Sequence, residues 1–302
     1  MSIQWPLVFF TLFIGLGCGT FTGSVIITEW LGKAKQIRTM SSIIAIAALG
    51  IGGMASTLHL GHPERIFGAL GNPTSGIFME SALSFLLGLA IVVYLLALRR
   101  NASAYTCKAI ATVGAIFAIA LVVVNGDAYV MPSIPAWNTW ILPALYAASA
   151  AVMGCFCLSL LLVYTENYDK TAITTVTATE TAATTETAAT TIMINRAILA
   201  ALAIQAVLII AYLVHIAVAP YPDVTRSVTR VLAGNLAQLF WGGMVLLGLL
   251  VPAALMTKLC TKKAGIIPPL TTATLGLVSV LIAGVAFRAL MFLIGSSVRQ
   301  FF

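Results

Sequence analysis

The sequence predicts an all-α polytopic membrane protein, a bundle of eight transmembrane helices, on three observations. The 302-residue chain is 60% apolar and only 8% charged, far from the composition of a water-soluble domain. Eight apolar runs approach or exceed the roughly 20 residues with which a helix crosses a bilayer. The basic residues gather in alternate connections between those runs, the pattern of positive-inside topology. The net charge of +7 therefore reports orientation in a membrane and not a nucleic-acid footprint.

The first span, about 6–28, follows Met-Ser-Ile-Gln-Trp-Pro, which has neither a basic n-region nor a small-residue cleavage site. It reads as a retained span and not a cleaved signal peptide. Lys33, Lys35 and Arg38 separate it from the second, 41–58. The 59–75 connection carries His59, His62, Glu64 and Arg65, and Gly61 and Pro63 mark it as a turn rather than a helix. The third span, 76–98, has Glu80 about one turn inside. Arg99, Arg100 and Lys108 precede or open the fourth, 107–125, which Asp127 closes. The fifth is 139–164.

The 165–194 segment is a low-complexity Thr/Ala tract in which Thr179-Glu-Thr-Ala-Ala-Thr184 is repeated as Thr185-Glu-Thr-Ala-Ala-Thr190. Apart from Tyr168 it has no aromatic residue, and it has few large aliphatics, so it is expected to be a mobile, partly helical cytoplasmic tether that buries no core. The sixth span, 195–218, has His215 near its end, and Asp223 follows. The seventh is 236–257, and Lys258, Lys262 and Lys263 lead to the eighth, 270–295, which has Arg288 inside it.

Eleven of the sixteen Lys and Arg fall on one side of this arrangement, which the positive-inside rule places in the cytoplasm. Both termini and the His59–Arg65 loop are then expected outside, on the periplasmic face of a bacterial inner membrane. Trp5, Tyr129, Trp137, Trp140 and Tyr221 fall near the outer ends of spans, as in an interfacial aromatic belt. The five cysteines, Cys18, Cys107, Cys155, Cys157 and Cys260, form no CxxC pair. They outline no zinc, iron–sulfur or disulfide framework, and no metal site is expected.

Nearly all the ionisable candidates lie on the outward face. Glu80 and Arg288 are the costly ones, since a charge in the apolar zone costs roughly 2.5–3.5 kcal/mol on insertion scales. A shared polar cavity or mutual pairing offsets that cost; snorkelling to the headgroups is the alternative for Arg288. A groove open to lipid with an imidazole, a carboxylate and an arginine suits a hydroquinone. Its oxidation releases two electrons and two protons, and the protons need acceptors close to each hydroxyl. The chain has too few histidines for a haem-rich reading. The electrons would pass to a partner's redox centre docked on the outer face.

Trp5-Pro6-Leu7 with Phe10-Thr11, and Ala55-Ser56-Thr57-Leu58-His59-Leu60-Gly61 followed by Pro63, Arg65-Ile66-Phe67, Leu70, Asn72, Ser75 and Glu80, resemble the membrane anchor subunit of bacterial dimethyl sulfoxide reductase. Tyr129 and Pro135-Ala136-Trp137 add a looser match. The resemblance implies eight spans with outer termini and a menaquinol-oxidising anchor without haem or iron–sulfur cluster of its own, acting in anaerobic respiration. It implies two partners on the periplasmic face: a four-cluster iron–sulfur subunit and a molybdopterin catalytic subunit. It maps the quinol-site histidine onto His59 and the glutamate onto Glu80. Arg65, Arg288, His62 and Glu64 are the remaining candidates for binding or orienting the quinol. The last span departs from the family's Gly-Glu-x-x-Gly-Arg pattern, reading Ala283-Gly284-Val285-Ala286-Phe287-Arg288, with no glutamate. The rival readings are a quinone-reactive subunit of a polysulfide, tetrathionate or nitrite reductase, a secondary transporter, and a passive anchor. The transporter predicts an internal repeat and polar residues at the midplane, and neither is evident.

Overall fold

The computed structural model describes residues 3–57, 75–172, 179–260 and 269–295. Among them every regular element is helical. Helix α1 (Trp5–Val25) continues through a π-helical turn (Ile26–Trp30). A 3₁₀ turn (Lys35–Ile37) opens α2 (Arg38–Thr57), followed by α3 (Gly76–Arg99), α4 (Ala104–Asp127), α5 (Ile141–Ala172), α6 (Thr179–Ala217) and the short α7 (Pro222–Leu232). A π-helical stretch (Gln238–Leu250) runs into α8 (Val251–Cys260), and α9 (Pro269–Ile294) is last. Eight of these stretches are long and apolar enough to cross a membrane: Trp5–Trp30, Lys35–Thr57, Gly76–Arg99, Ala104–Asp127, Ile141–Glu166, Ala189–Ala217, Gln238–Thr257 and Pro269–Ile294.

Local chemistry sets the helix ends. Pro6 sits in the first turn of α1, where its missing N–H would have had no partner anyway. Ser75 and Ser103 cap α3 and α4, accepting from the amides of Phe78 at 3.2 Å and Thr106 at 3.1 Å. Asn101, at φ +50°, makes the left-handed turn between α3 and α4, a conformation asparagine tolerates.

Helices α1, α5 and α9 form the centre of the bundle, 72%, 78% and 67% buried, whereas α3 is 22% buried and faces outward. Helix α1 touches α2, α4, α5 and α9. It approaches α5 so closely that a Cβ on Gly19 would overlap the Ala150 carbonyl, and one on Gly154 would overlap the backbone of Gly19. Small residues are what such an approach needs. Between membrane helices van der Waals packing replaces the hydrophobic effect, because lipid is as apolar as the neighbouring helix.

The Thr/Ala tract, expected to be partly helical, is helical to Ala172 at the end of α5 and again from Thr179, where α6 starts. Alanine and glutamate favour helix, and the packed spans on either side have already nucleated it. Helix α7 was not foreseen. Its Val224, Ser227 and Val231 are buried and its Arg226 is exposed, so this short amphipathic helix presents one face to the bundle and the other outward.

A cavity at one end of the bundle

One end of the bundle holds a cavity of about 490 Å³ built from five parts of the chain. The start of α1 supplies Gln4, Leu7 and Phe10. The last turns of α2 supply Gly53, Ser56 and Thr57. The first turns of α3 supply Ile77, Glu80, Ser81 and Ser84. The α4–α5 connection contributes Ala128, Tyr129, Met131, Ile134 and Trp137, and α9 contributes Phe292. The spacing 77, 80, 81, 84 is one face of a helix, and the Ser75 cap fixes where that face begins. Among the described residues no cation pairs with Glu80.

The lining also includes an aromatic cluster. Tyr129, Trp137 and Phe292 meet edge-to-face in all three pairings, at centroid distances of 5.7, 5.9 and 5.8 Å. The geometry is the one aromatic quadrupoles favour. Hydrogen bonds anchor this wall to the bundle. The Trp137 indole N–H donates to the Met291 carbonyl at 3.0 Å, and the Tyr212 hydroxyl donates to the Ala136 carbonyl at 3.0 Å. Burial pushes the Tyr129 phenol well above its usual range, helped by the neighbouring Tyr146 and Glu80 and opposed by Arg288. Tyr129 therefore stays protonated, able to donate a hydrogen bond.

Arg288 is fully buried, not snorkelled, and is not part of the cavity wall. It lies one helical turn from Phe292 on α9. Its Nε donates to Thr11 Oγ1 at 2.8 Å, its Nη2 to the Thr11 carbonyl at 3.1 Å and its Nη1 to the Gly284 carbonyl at 3.0 Å. The guanidinium sits 5.0 Å from the Tyr146 ring centroid. Gly15 and Gly284 leave it room, since a Cβ on either would come within 3.3–3.4 Å of its terminal nitrogens. Arg288 thus places a positive charge beside Thr11, the neighbour of the lining residue Phe10, and one turn from the lining residue Phe292.

His59, His62, Glu64 and Arg65 lie outside the described residues. Asp127 and Asp223 are exposed, the latter 3.5 Å from Arg226. His215 is partly buried on α6, its Nε2 without a partner among the described residues, and is not in the cavity wall. At the far end of the first span, in the π-helical turn, the Glu29 side chain is buried: the Tyr94 hydroxyl donates to it at 2.5 Å, and Arg38 lies 3.8 Å away. The small hydroxyls of Ser56, Thr57, Ser81 and Ser84 and the wall role of Tyr129 and Trp137 were missed. The aromatics read as interfacial anchors; Ser84 lies one helical turn from Glu80 and Ser81 beside it, whereas nothing in the sequence pointed to Ser56 and Thr57.

Among the described residues, eight helices long and apolar enough to cross a membrane, with a cavity at one end that includes a carboxylate and several hydroxyls, define a polytopic integral membrane protein. Residues 1–293 match the family described as DMSO reductase anchor subunit (DmsC), and the chain belongs to that family. It is accordingly a multi-pass membrane anchor subunit of a DMSO-reductase-type oxidoreductase complex, whose reductase chemistry involves partner subunits. No curated protein matches the chain.

Proposed function

We propose that this anchor oxidises a quinol, menaquinol by resemblance, in the 490 Å³ cavity and passes the electrons to an iron–sulfur subunit docked at the same end. The observation that supports this best is the pairing in one cavity of the carboxylate of Glu80 with the Tyr129–Trp137–Phe292 wall. The wall offers apolar ring faces and edges against which a quinol ring can pack. Glu80 accepts the proton of one hydroxyl. His59, two positions along the chain from the wall residue Thr57, accepts the proton of the other, and imidazole is suited to that task near neutral pH. Quinol becomes quinone as two protons leave to these bases and two electrons leave to the partner's cluster. The buried charge of Arg288 favours the anionic quinol formed when the first proton departs. Arg65, His62 and Glu64 belong to the same loop and are assigned to binding or proton exit. Both termini and this loop face the periplasm, where the iron–sulfur and molybdopterin subunits dock.

The test is quinol-analogue oxidation by the assembled complex from a bacterial inner membrane. Glu80→Gln and His59→Gln are each expected to lower kcat about a hundredfold or more while the partners still co-purify. Wild-type turnover by both variants in an intact complex would reject the assignment. It would leave the passive anchor, which needs none of these groups.

A further inference from the structure

A second cavity lies at the other end of the α2–α3 seam. It measures about 350 Å³ and is lined by Arg38, Thr39 and Ile43 of α2 and by Val92, Leu96 and Arg99 of α3, among others. We propose that it holds one anionic phospholipid, with the phosphate between Arg38 and Arg99 and an acyl chain along Ile43, Val92 and Leu96. This site is separate from the quinol cavity and does not rest on that reading.

Three observations carry the assignment. The first is charge. Arg38 shares the buried Glu29 with the Tyr94 hydroxyl, and Arg99 has no carboxylate partner among the described residues. The cavity is therefore net positive and selects an anion. The second is depth. Glu80 and Arg99 are nineteen positions apart on the one helix α3, about 28 Å at 1.5 Å per residue. That is close to the hydrocarbon thickness of a bilayer, so Arg99 sits at the opposite boundary, the level of lipid phosphates. The third is the rest of the lining. Ile43 on α2 and Val92 and Leu96 on the outward-facing α3 are exposed large apolar side chains. A soluble anion has no use for such a wall, whereas an acyl chain does. Guanidinium forks match phosphate oxygens in pairs, and basic pockets between membrane helices suit anionic headgroups.

Native mass spectrometry of the full chain in detergent tests the proposal, with phosphatidylglycerol, phosphatidylcholine and inorganic phosphate as probes. Wild type is expected to retain phosphatidylglycerol in preference to phosphatidylcholine. Arg99→Gln is expected to reduce that retention about tenfold. Val92→Trp, which fills the acyl slot and leaves both charges, is expected to do the same, while Arg226→Gln at the far end changes nothing. Equal retention of the two lipids overturns the proposal. So does unchanged retention by Arg99→Gln and Val92→Trp, an equal loss in Arg226→Gln, or displacement of the lipid by phosphate, which would mark a site for a soluble ion.

Discussion

At the scale of single residues the two costly charges of the sequence have different solutions. Glu80 borders a cavity, while Arg288 is enclosed by protein and hydrogen-bonded to main-chain and hydroxyl oxygens of α1 and α9. Its planar fork reaches Thr11 and Gly284 at once, which a lysine cannot do. Arg288→Lys is therefore expected to lower the stability of the detergent-solubilised chain by about 1–3 kcal/mol, read as a drop in the thermal midpoint. A midpoint equal to wild type would mean that the fork contributes nothing. Both charges were legible because an ionised group in an apolar run is conspicuous. Their partners were not. Thr11 is one of many hydroxyls in the spans, and nothing in the sequence says that the turn after α4 folds back to set Tyr129 and Trp137 against Phe292.

At the scale of elements, the spans were legible because the bilayer sets their length and apolarity. Which face of each span packs inward was not. A membrane helix is apolar both toward lipid and toward its neighbours, so the periodicity that marks the core face of a soluble helix is missing. The close approach of α1 and α5 at Gly19 and Gly154 therefore had to be seen. It carries its own prediction. Gly154→Leu forces the two backbones apart, so it is expected to cost about 1–3 kcal/mol or more and to deplete monodisperse protein in size-exclusion chromatography. The equally apolar Gly88→Leu, with nothing within 4 Å of its Cβ, is expected to leave the profile unchanged. How far α5 and α6 extend into the Thr/Ala tract was not legible for another reason. Composition says that a segment cannot build a core, yet a helix already started by packed neighbours needs only residues that do not stop it.

At the scale of the whole molecule, the polar groups divide between the two ends of the bundle: Glu80 and the aromatic wall at one, Arg38, Glu29, Tyr94 and Arg99 at the other. If the first end faces the periplasm, as the distribution of Lys and Arg predicts, protons from the quinol leave on the side where the partner subunits sit. An impermeant maleimide checks the orientation in cells carrying a cysteine-free background. Asn138→Cys, exposed in the loop beside the aromatic wall, is expected to label in intact spheroplasts, and Lys35→Cys only after the membrane is opened. The reverse pattern would turn the molecule over and remove the outward route for the protons.

The indole of Trp137 is part of the cavity lining and is pinned by its bond to Met291. Its emission is consequently a built-in optical gauge of what occupies that space. With Trp5, Trp30, Trp140 and Trp241 changed to phenylalanine, the remaining fluorophore would dim as a quinone analogue slid in beside it. Occupancy could then be titrated in the isolated subunit, before any reductase partner is added and without a single electron being transferred.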